Sequence, residues 1–188
     1  MIIWLTGLSG AGKTTLARRV ASQLFAVGFK VEVLDGDELR ENLCWDLGFS
    51  KSDRNENIRR IGYVAGLLSK HNVIVIVSAI SPYRAARDAI RDVTNRFIEV
   101  YVNSPVEVCA SRDVKGLYAK AASGKLAAFT GISDPYEFPL NPEVECRTDC
   151  ETIDQSAQKI LDCLYVKIDA VPKPVFEEVV EHRDGSGI

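Results

Sequence analysis

The octapeptide Gly7-Leu8-Ser9-Gly10-Ala11-Gly12-Lys13-Thr14 limits what this chain can fold into more than any other stretch. It follows the apolar run Ile2-Ile3-Trp4-Leu5 and precedes the helical pattern Leu16-Ala17-Arg18-Arg19-Val20-Ala21. Glycine, four free residues, glycine, lysine and a hydroxyl side chain make a phosphate-binding loop. The glycines let the backbone curl so that several N–H groups converge on one phosphate, and the next helix adds its positive end. Lys13 is placed to reach the outer phosphates, and Thr14 to hold magnesium through its hydroxyl. Residues Gly7, Leu8, Ser9, Gly10, Ala11, Gly12, Lys13, Thr14 and Thr15 therefore read as a nucleoside triphosphate site.

A chain of 188 residues suits one domain with a proper core, and at 46% hydrophobic and 26% charged it reads as an ordinary globular protein. The net charge of −3 provides no global basic field, so neither nucleic acid nor a membrane surface is an expected partner. The longest apolar run, near Val73–Ile80, is too short to cross a bilayer. With a strand beginning at Ile2, no leader is expected. The five cysteines, 44, 109, 146, 150 and 163, lack the spacing of a zinc or redox motif. They read as free thiols in a reducing cytoplasm.

Apolar β-branched runs at 2–5, 30–34, 73–77, 97–102 and 144–147 predict five strands. Helices are expected over about 13–27, 54–70, 82–94, 105–111 and 153–166. This alternation predicts a phosphate-loop (P-loop) NTPase-type α/β fold, a three-layer α/β/α sandwich around a parallel five-stranded sheet. Ligands would gather at the carboxyl ends of the strands. The polar, Gly- and Pro-bearing segment at about 114–142 is long for a plain connection and is expected to be a mobile lid. Residues 1–170 would form the domain and 171–188 a tail.

The residues after each strand carry the next clues. Strand two runs into Asp35-Gly36-Asp37, two carboxylates at the ligand edge. Asp37 is the leading candidate to steer the metal or accept a proton, and an N-cap is its plainer use. Strand three ends without the aspartate that usually binds magnesium, which argues for a small-molecule kinase whose carboxylate comes from elsewhere. There is no Asn-Lys-x-Asp string to select guanine. Ser81-Pro82 can be a helix cap followed by a first-turn proline, or part of an anion site with Arg84 and Arg87 nearby. Ser52 or Asp53 can cap the next long helix, where Arg54, Asn57 and Arg60 recur at spacings of three. That side is either a solvated face or a second-substrate site, since arginine's fork suits phosphate or sulfate oxygens.

Taken in order, several motifs together resemble the adenylylsulfate kinases. They are Gly7–Thr14, Leu34-Asp35-Gly36-Asp37, Asp46-Leu47-Gly48-Phe49-Ser50, Asp53-Arg54-Asn55-Glu56-Asn57-Ile58-Arg59-Arg60, Ile80-Ser81-Pro82-Tyr83-Arg84, Lys115-Gly116-Leu117-Tyr118 and Phe129-Thr130-Gly131-Ile132. The resemblance implies ATP and Mg2+ as co-substrates and phosphorylation of the ribose 3′-hydroxyl of adenosine 5′-phosphosulfate (APS). It implies that Phe49 and Phe129 sandwich the APS adenine, with Arg40, Arg54, Asn57 and Ile80 around that substrate. Asp37 would lie by the attacking hydroxyl and, with Thr14, by the metal; Lys115 would reach in from the lid. Arg112 and Cys146 would grip the ATP adenine, and Ser81 would match a serine assigned as a phosphoenzyme intermediate. A homodimer is also implied. Val114 replaces the family's lid proline, which should loosen the lid entry without removing a chemical group.

Overall fold

Residues 1–94, 96–124, 126 and 128–169 are described by the computed structural model; the expected tail, 171–188, lies outside them. Among the described residues, strands β1 (Ile2–Thr6), β2 (Val31–Asp35), β3 (Ile74–Ser78), β4 (Phe97–Asn103) and β5 (Val144–Arg147) form one parallel sheet. Its order is β2-β3-β1-β4-β5, so β1 lies in the middle, between two strands reached later in the chain. Parallel pairing requires a crossover after each strand, and all strands end on the same edge. The phosphate loop leaves that edge at the centre, where the neighbouring connections diverge.

The lack of polar alternation in β1 follows from its burial on both sides. Ile3 and Leu5 face one core with Ile76, Ile98 and Val100, while Ile2 and Trp4 face the other with Val75, Val77 and Phe97. Helices cover both faces. On the first, α1 (Lys13–Ala26) contributes Leu16, Ala17, Val20 and Leu24, one stripe of an amphipathic helix. On the second, α2 (Gly36–Asn42) leans Leu39 on the core, and α3 (Lys51–Lys70) buries Ile58, Ile61 and Ala65. With them, α4 (Arg84–Asp92) buries Ile90. Cys109 of α5 (Val106–Arg112), Tyr118 of α6 (Leu117–Ala122) and Ile160 and Leu164 of α7 (Ile153–Asp169) return to the first face.

Three expected helix starts are corrected. The start of α3 is capped by Ser50 rather than Ser52 or Asp53: the Ser50 hydroxyl accepts the Asp53 N–H at 3.1 Å, and the Asp53 carboxylate accepts the Ser50 N–H at 3.3 Å. The cap of α2 is Asp35, which accepts the Asp37 N–H at 2.9 Å and leaves the Asp37 side chain free of that task. The third start, α4, begins at Arg84 after Tyr83, so Ser81-Pro82 is not a cap followed by a first-turn proline. Ser81 instead has φ 49°, left-handed backbone that ends one segment and turns into the next. Helix α6 was not expected: the Asp113 carboxylate gathers the N–H groups of Tyr118 and Ala119, each at 3.0 Å, and so starts a helix inside the polar 114–142 segment.

All five cysteines are free, with Cys44, Cys109 and Cys146 buried. Among the described residues no helix is long and apolar enough to cross a membrane.

A charged network fastens β4 and the approach to β5. Glu99 accepts Arg87 Nε at 2.6 Å and Arg91 Nη2 at 3.1 Å. Glu143 accepts Arg91, the Glu99 N–H at 2.7 Å and Lys167 Nζ at 3.1 Å. Burial alone would raise the Glu143 pKa, but the bonds from Arg91, the Glu99 amide and Lys167 prevail and hold it at about 2 against an ordinary 4.5. A depressed carboxylate stabilises the fold above its unfolded pKa and loses that contribution as pH falls through the folded value. Glu143→Gln should therefore lower stability at pH 7 by about 1–3 kcal/mol in denaturant titrations. The gap to wild type should narrow between pH 4.5 and about 2, where the native carboxylate itself becomes protonated.

Candidate active site

At the carboxyl edge of the sheet a cleft of about 1110 Å³ is lined by the phosphate loop, the start of α2, one side of α3, the Ile80–Pro82 turn and parts of the 112–130 region. Its size suits more than one small ligand, since a single pocket usually has roughly 300–1,000 Å³.

In the loop, Gly12 has φ 96° and immediately precedes α1, so the chain turns into the helix with its first amides pointing outward. A Cβ on Gly10, at φ 77°, would stand 2.8 Å from the Cys109 carbonyl. Lys13 is buried, and its ammonium donates to the Gly7 and Leu8 carbonyls at 2.9 and 2.7 Å. Burial lowers its pKa to about 8. An ammonium held only by neutral carbonyls is stabilised when an anion arrives. Ser9, Gly10, Gly12, Lys13, Thr14 and Thr15 line the cleft; Leu8 and Ala11 support the loop from behind, in contact with the core.

Thr14 Oγ1 donates to Asp35 Oδ2 at 2.8 Å and lies 3.2 Å from Ser78 Oγ. Asp35 and Ser78 are register partners in the β2–β3 pair. The carboxylate bonded to Thr14 thus comes sideways from β2, at Asp35. This oxygen-only corner fits magnesium, which typically uses one or two side-chain oxygens and completes its shell with phosphate and water. Among the described residues, no group of three or more His, Cys, Asp or Glu side chains is placed to hold a metal ion.

The second half of the cleft is built by α3 and residues 128–130. Phe49 is 54% exposed, with the Arg40 and Arg54 guanidinium centres 4.7 and 5.6 Å from its ring centroid. Phe129 is buried and lines the same cleft, with its ring edge-on to Tyr118 at 4.9 Å. Arg54 donates to the Phe49 carbonyl and Thr130 Oγ1, both at 2.9 Å, and to the Ala128 carbonyl. Its fork therefore shapes the pocket wall, and the Asp134 carboxylate lies 3.5 Å from its Nε and offsets part of its charge. Arg40 donates to the Gly48 carbonyl at 2.9 Å, and its pKa is lowered by burial and then by neighbouring Arg54. Asn57 is buried in the cleft wall, and its Oδ1 has no hydrogen-bond partner. A buried orphan acceptor facing a cavity marks a place for a ligand donor.

The structure separates some residues grouped by sequence. Arg60 turns roughly 120° around the helix from Arg54 and pairs with Asp46 at 2.6 Å and Glu56 at 2.9 Å, outside the cleft. Arg84 and Arg87 also lie outside it. Cys146 does not reach the nucleotide end: in β5 the side chains alternate, and Cys146 points into the core with Sγ 3.6 Å from the Ser156 carbonyl. Burial pushes its thiol up to about 12. Arg112 does line the cleft, donating to the Thr148 carbonyl at 2.6 Å, while Thr148 Oγ1 donates to the Ala11 carbonyl at 2.8 Å. Thr148 carries no motif of its own; only its place just after β5 identifies it. Lys115 and Asp37 form an exposed ion pair across the mouth. Ile80 and Ser81 line the cleft, but the Ser81 hydroxyl is buried and accepts Trp4 Nε1 at 2.9 Å.

Comparison with known proteins agrees with this geometry. The profile of the family described as adenylylsulphate kinase matches residues 1–147. The adenylyl-sulfate kinase of Microcystis aeruginosa is 59% identical over 158 residues, 84% of this chain and 87% of that protein. The structure of the Mycobacterium tuberculosis APS kinase in complex with AMPPNP and APS superposes with a TM-score of 0.84 at 44% identity, covering 87% of this chain and 96% of that one. A hexameric APS kinase from Thiobacillus denitrificans has a TM-score of 0.66 at 35% identity over 88% of this chain and 29% of its own. With its fold, its phosphate loop and an alignment to these enzymes over most of its own length, the chain belongs to the adenylylsulfate kinase family.

Proposed function

We propose that the two halves of the cleft hold the two substrates of an adenylyl-sulfate kinase, ATP on the phosphate loop and APS between Phe49 and Phe129. The family's enzymes move the ATP γ-phosphate to the 3′-hydroxyl of APS, giving 3′-phosphoadenosine 5′-phosphosulfate (PAPS), and this chain is such an ATP-dependent kinase. The observation that carries the residue assignment is that Lys13, Arg54, Asn57 and Phe49 line one continuous cleft.

Each group has a physical task. The Gly7–Thr15 amides and Lys13 receive the triphosphate, and Arg112 flanks the nucleotide's base. Thr14 and Asp35 would hold a magnesium ion, which when bound would supply neutralisation of the phosphate charge. Phe49 and Phe129 stack the APS adenine; Asn57 Oδ1 accepts a donor from APS; Arg40 and Arg54 attract its anionic end. The 3′-oxygen attacks the γ-phosphorus in line, the bond to the bridging oxygen breaks, and Asp37 takes the hydroxyl proton. Lys115, released from Asp37, follows the charge on the transferring group. Closure of residues 114–142 as a lid excludes water.

Ser81 acts here as a structural residue rather than a phosphoenzyme. Its hydroxyl is engaged by the Trp4 indole, while its backbone shapes the wall. The enzyme is assigned to the cytoplasm, which suits five free thiols, and to a homodimer; the hexameric relative supports self-association more generally.

Mass-spectrometric detection of PAPS from APS and ATP tests the assignment, and Lys13→Ala should cut its formation by about 10³-fold or more. Asp37→Ala should retain ATP-analogue binding while losing turnover; an active variant would move the base elsewhere. Ser81→Ala should keep kcat within about tenfold of wild type, since it removes one buried hydrogen bond and no reacting group. Complete loss in a folded Ser81→Ala protein, with phosphate trapped on wild-type enzyme by ATP alone, would restore the covalent route.

A further inference from the structure

The Ile80–Pro82 turn forms part of the cleft wall, yet a non-glycine residue at its centre has φ 49°. Such backbone persists only where the surroundings over-determine it. Three bonds do so. Trp4 Nε1 donates to Ser81 Oγ at 2.9 Å, Thr6 Oγ1 donates to the Ile80 carbonyl at 2.7 Å, and Arg87 Nη1 donates to the Ser81 carbonyl at 2.6 Å. The first two come from β1, the strand that carries the phosphate loop.

Arg87 is different because it reaches a second segment. Its Nη2 donates to the Glu137 carbonyl at 2.8 Å and its Nε to Glu99 at 2.6 Å. Glu137 is bound to the same turn from its own side: its N–H donates to the Pro82 carbonyl at 2.8 Å, and its carboxylate accepts the Arg84 N–H at 2.9 Å. Glu137 ends the stretch that carries Phe129 and Thr130. The side chain of Arg87 is 1% exposed and that of Glu99 7%. A buried ion pair of this kind is a poor stabiliser compared with an apolar pair of the same volume. What it provides is position: one rigid fork fixes two carbonyls on two segments at once.

We infer that Arg87 is a positioning residue for the APS half of the cleft, clamping the Ile80–Pro82 turn to the return of the 114–142 segment through the Ser81 and Glu137 carbonyls. It touches neither substrate. The inference rests on the assignment of that half to APS, and it places the effect of Arg87 on APS and not on ATP.

The test compares Arg87→Lys, which keeps the charge opposite Glu99 but loses the fork, with Arg87→Met/Glu99→Gln, which removes the buried charge. Asn57→Ala serves as the marker of the APS pocket. Folding is checked by thermal unfolding, nucleotide binding by AMPPNP titration, and KM is measured for each substrate. In both Arg87 variants KM for APS should rise about tenfold, the usual size for one lost charge-assisted bond, while AMPPNP affinity stays within about twofold. Unchanged KM for APS in a folded Arg87 variant, while Asn57→Ala raises it, overturns the clamp alone. Equal losses for both substrates, or unfolding of both variants, make Arg87 a general stability residue and also overturn it. If Asn57→Ala too leaves KM for APS unchanged, the pocket assignment fails and takes the clamp with it.

Discussion

The parallel pairing of β1 with β3 on one side and β4 on the other governs everything built above the sheet. A strand paired on both sides and buried on both faces cannot shift register without turning its core side chains over. Its last residue, Thr6, therefore delivers the phosphate loop to one fixed point, and Thr6 Oγ1 holds the Ile80 carbonyl beside it. Because every strand ends on the same edge, Asp35, Ser78 and the Ile80–Pro82 turn converge on the loop without any further device. The site follows from the topology, with side chains supplying its chemistry.

The cations around the cleft divide by what they already hold. Arg60, Arg87 and Arg91 are paired with carboxylates and are committed to structure, and Arg54 lies 3.5 Å from the Asp134 carboxylate. Lys13 rests on neutral carbonyls, and the Arg40 guanidinium donates to carbonyls beside a second arginine. Such charges are costly to keep in a partly dry cleft and are relieved by an anion. These charges leave room for two anions, one at Lys13 and one at Arg40, and an unbonded Asn57 oxygen adds a neutral acceptor in the same cleft half as the second. A single-anion ATPase would need only the first of these.

The loop, all five strands and the two-faced core were legible because each depends on local pattern: glycine spacing in Gly7–Thr14, and β-branched runs such as Ile74–Val77. What depended on a neighbour in space was not. Asp35 and Asp37 look equivalent in sequence, and only the register with Ser78 selects Asp35 for Thr14. Ser81-Pro82 has the composition of a helix start, but the Trp4 indole and the Arg87 fork claim the serine for a turn instead. Cys146 lies near the right place along the chain and on the wrong side of β5. Arg54 and Asn57 both line the cleft because they fall on one turn of α3, whereas six residues carry Arg60 too far around to join them.

Under the proposed mechanism, the Asp37–Lys115 pair would let the same chain be open to ligand and still assemble a reactive centre. Both side chains are largely exposed, so solvent screens their attraction and the contact is weak. It spans the mouth, joining the start of α2 to the segment that precedes α6. A triphosphate offers Lys115 a partner of greater charge in a less hydrated place, where the same ammonium interacts more strongly. The exchange would free the Asp37 carboxylate at the moment a hydroxyl arrives to be deprotonated. On the proposed mechanism, one weak bond would thus keep base and cation near each other without committing either, and the arriving substrates would draw each to its separate task.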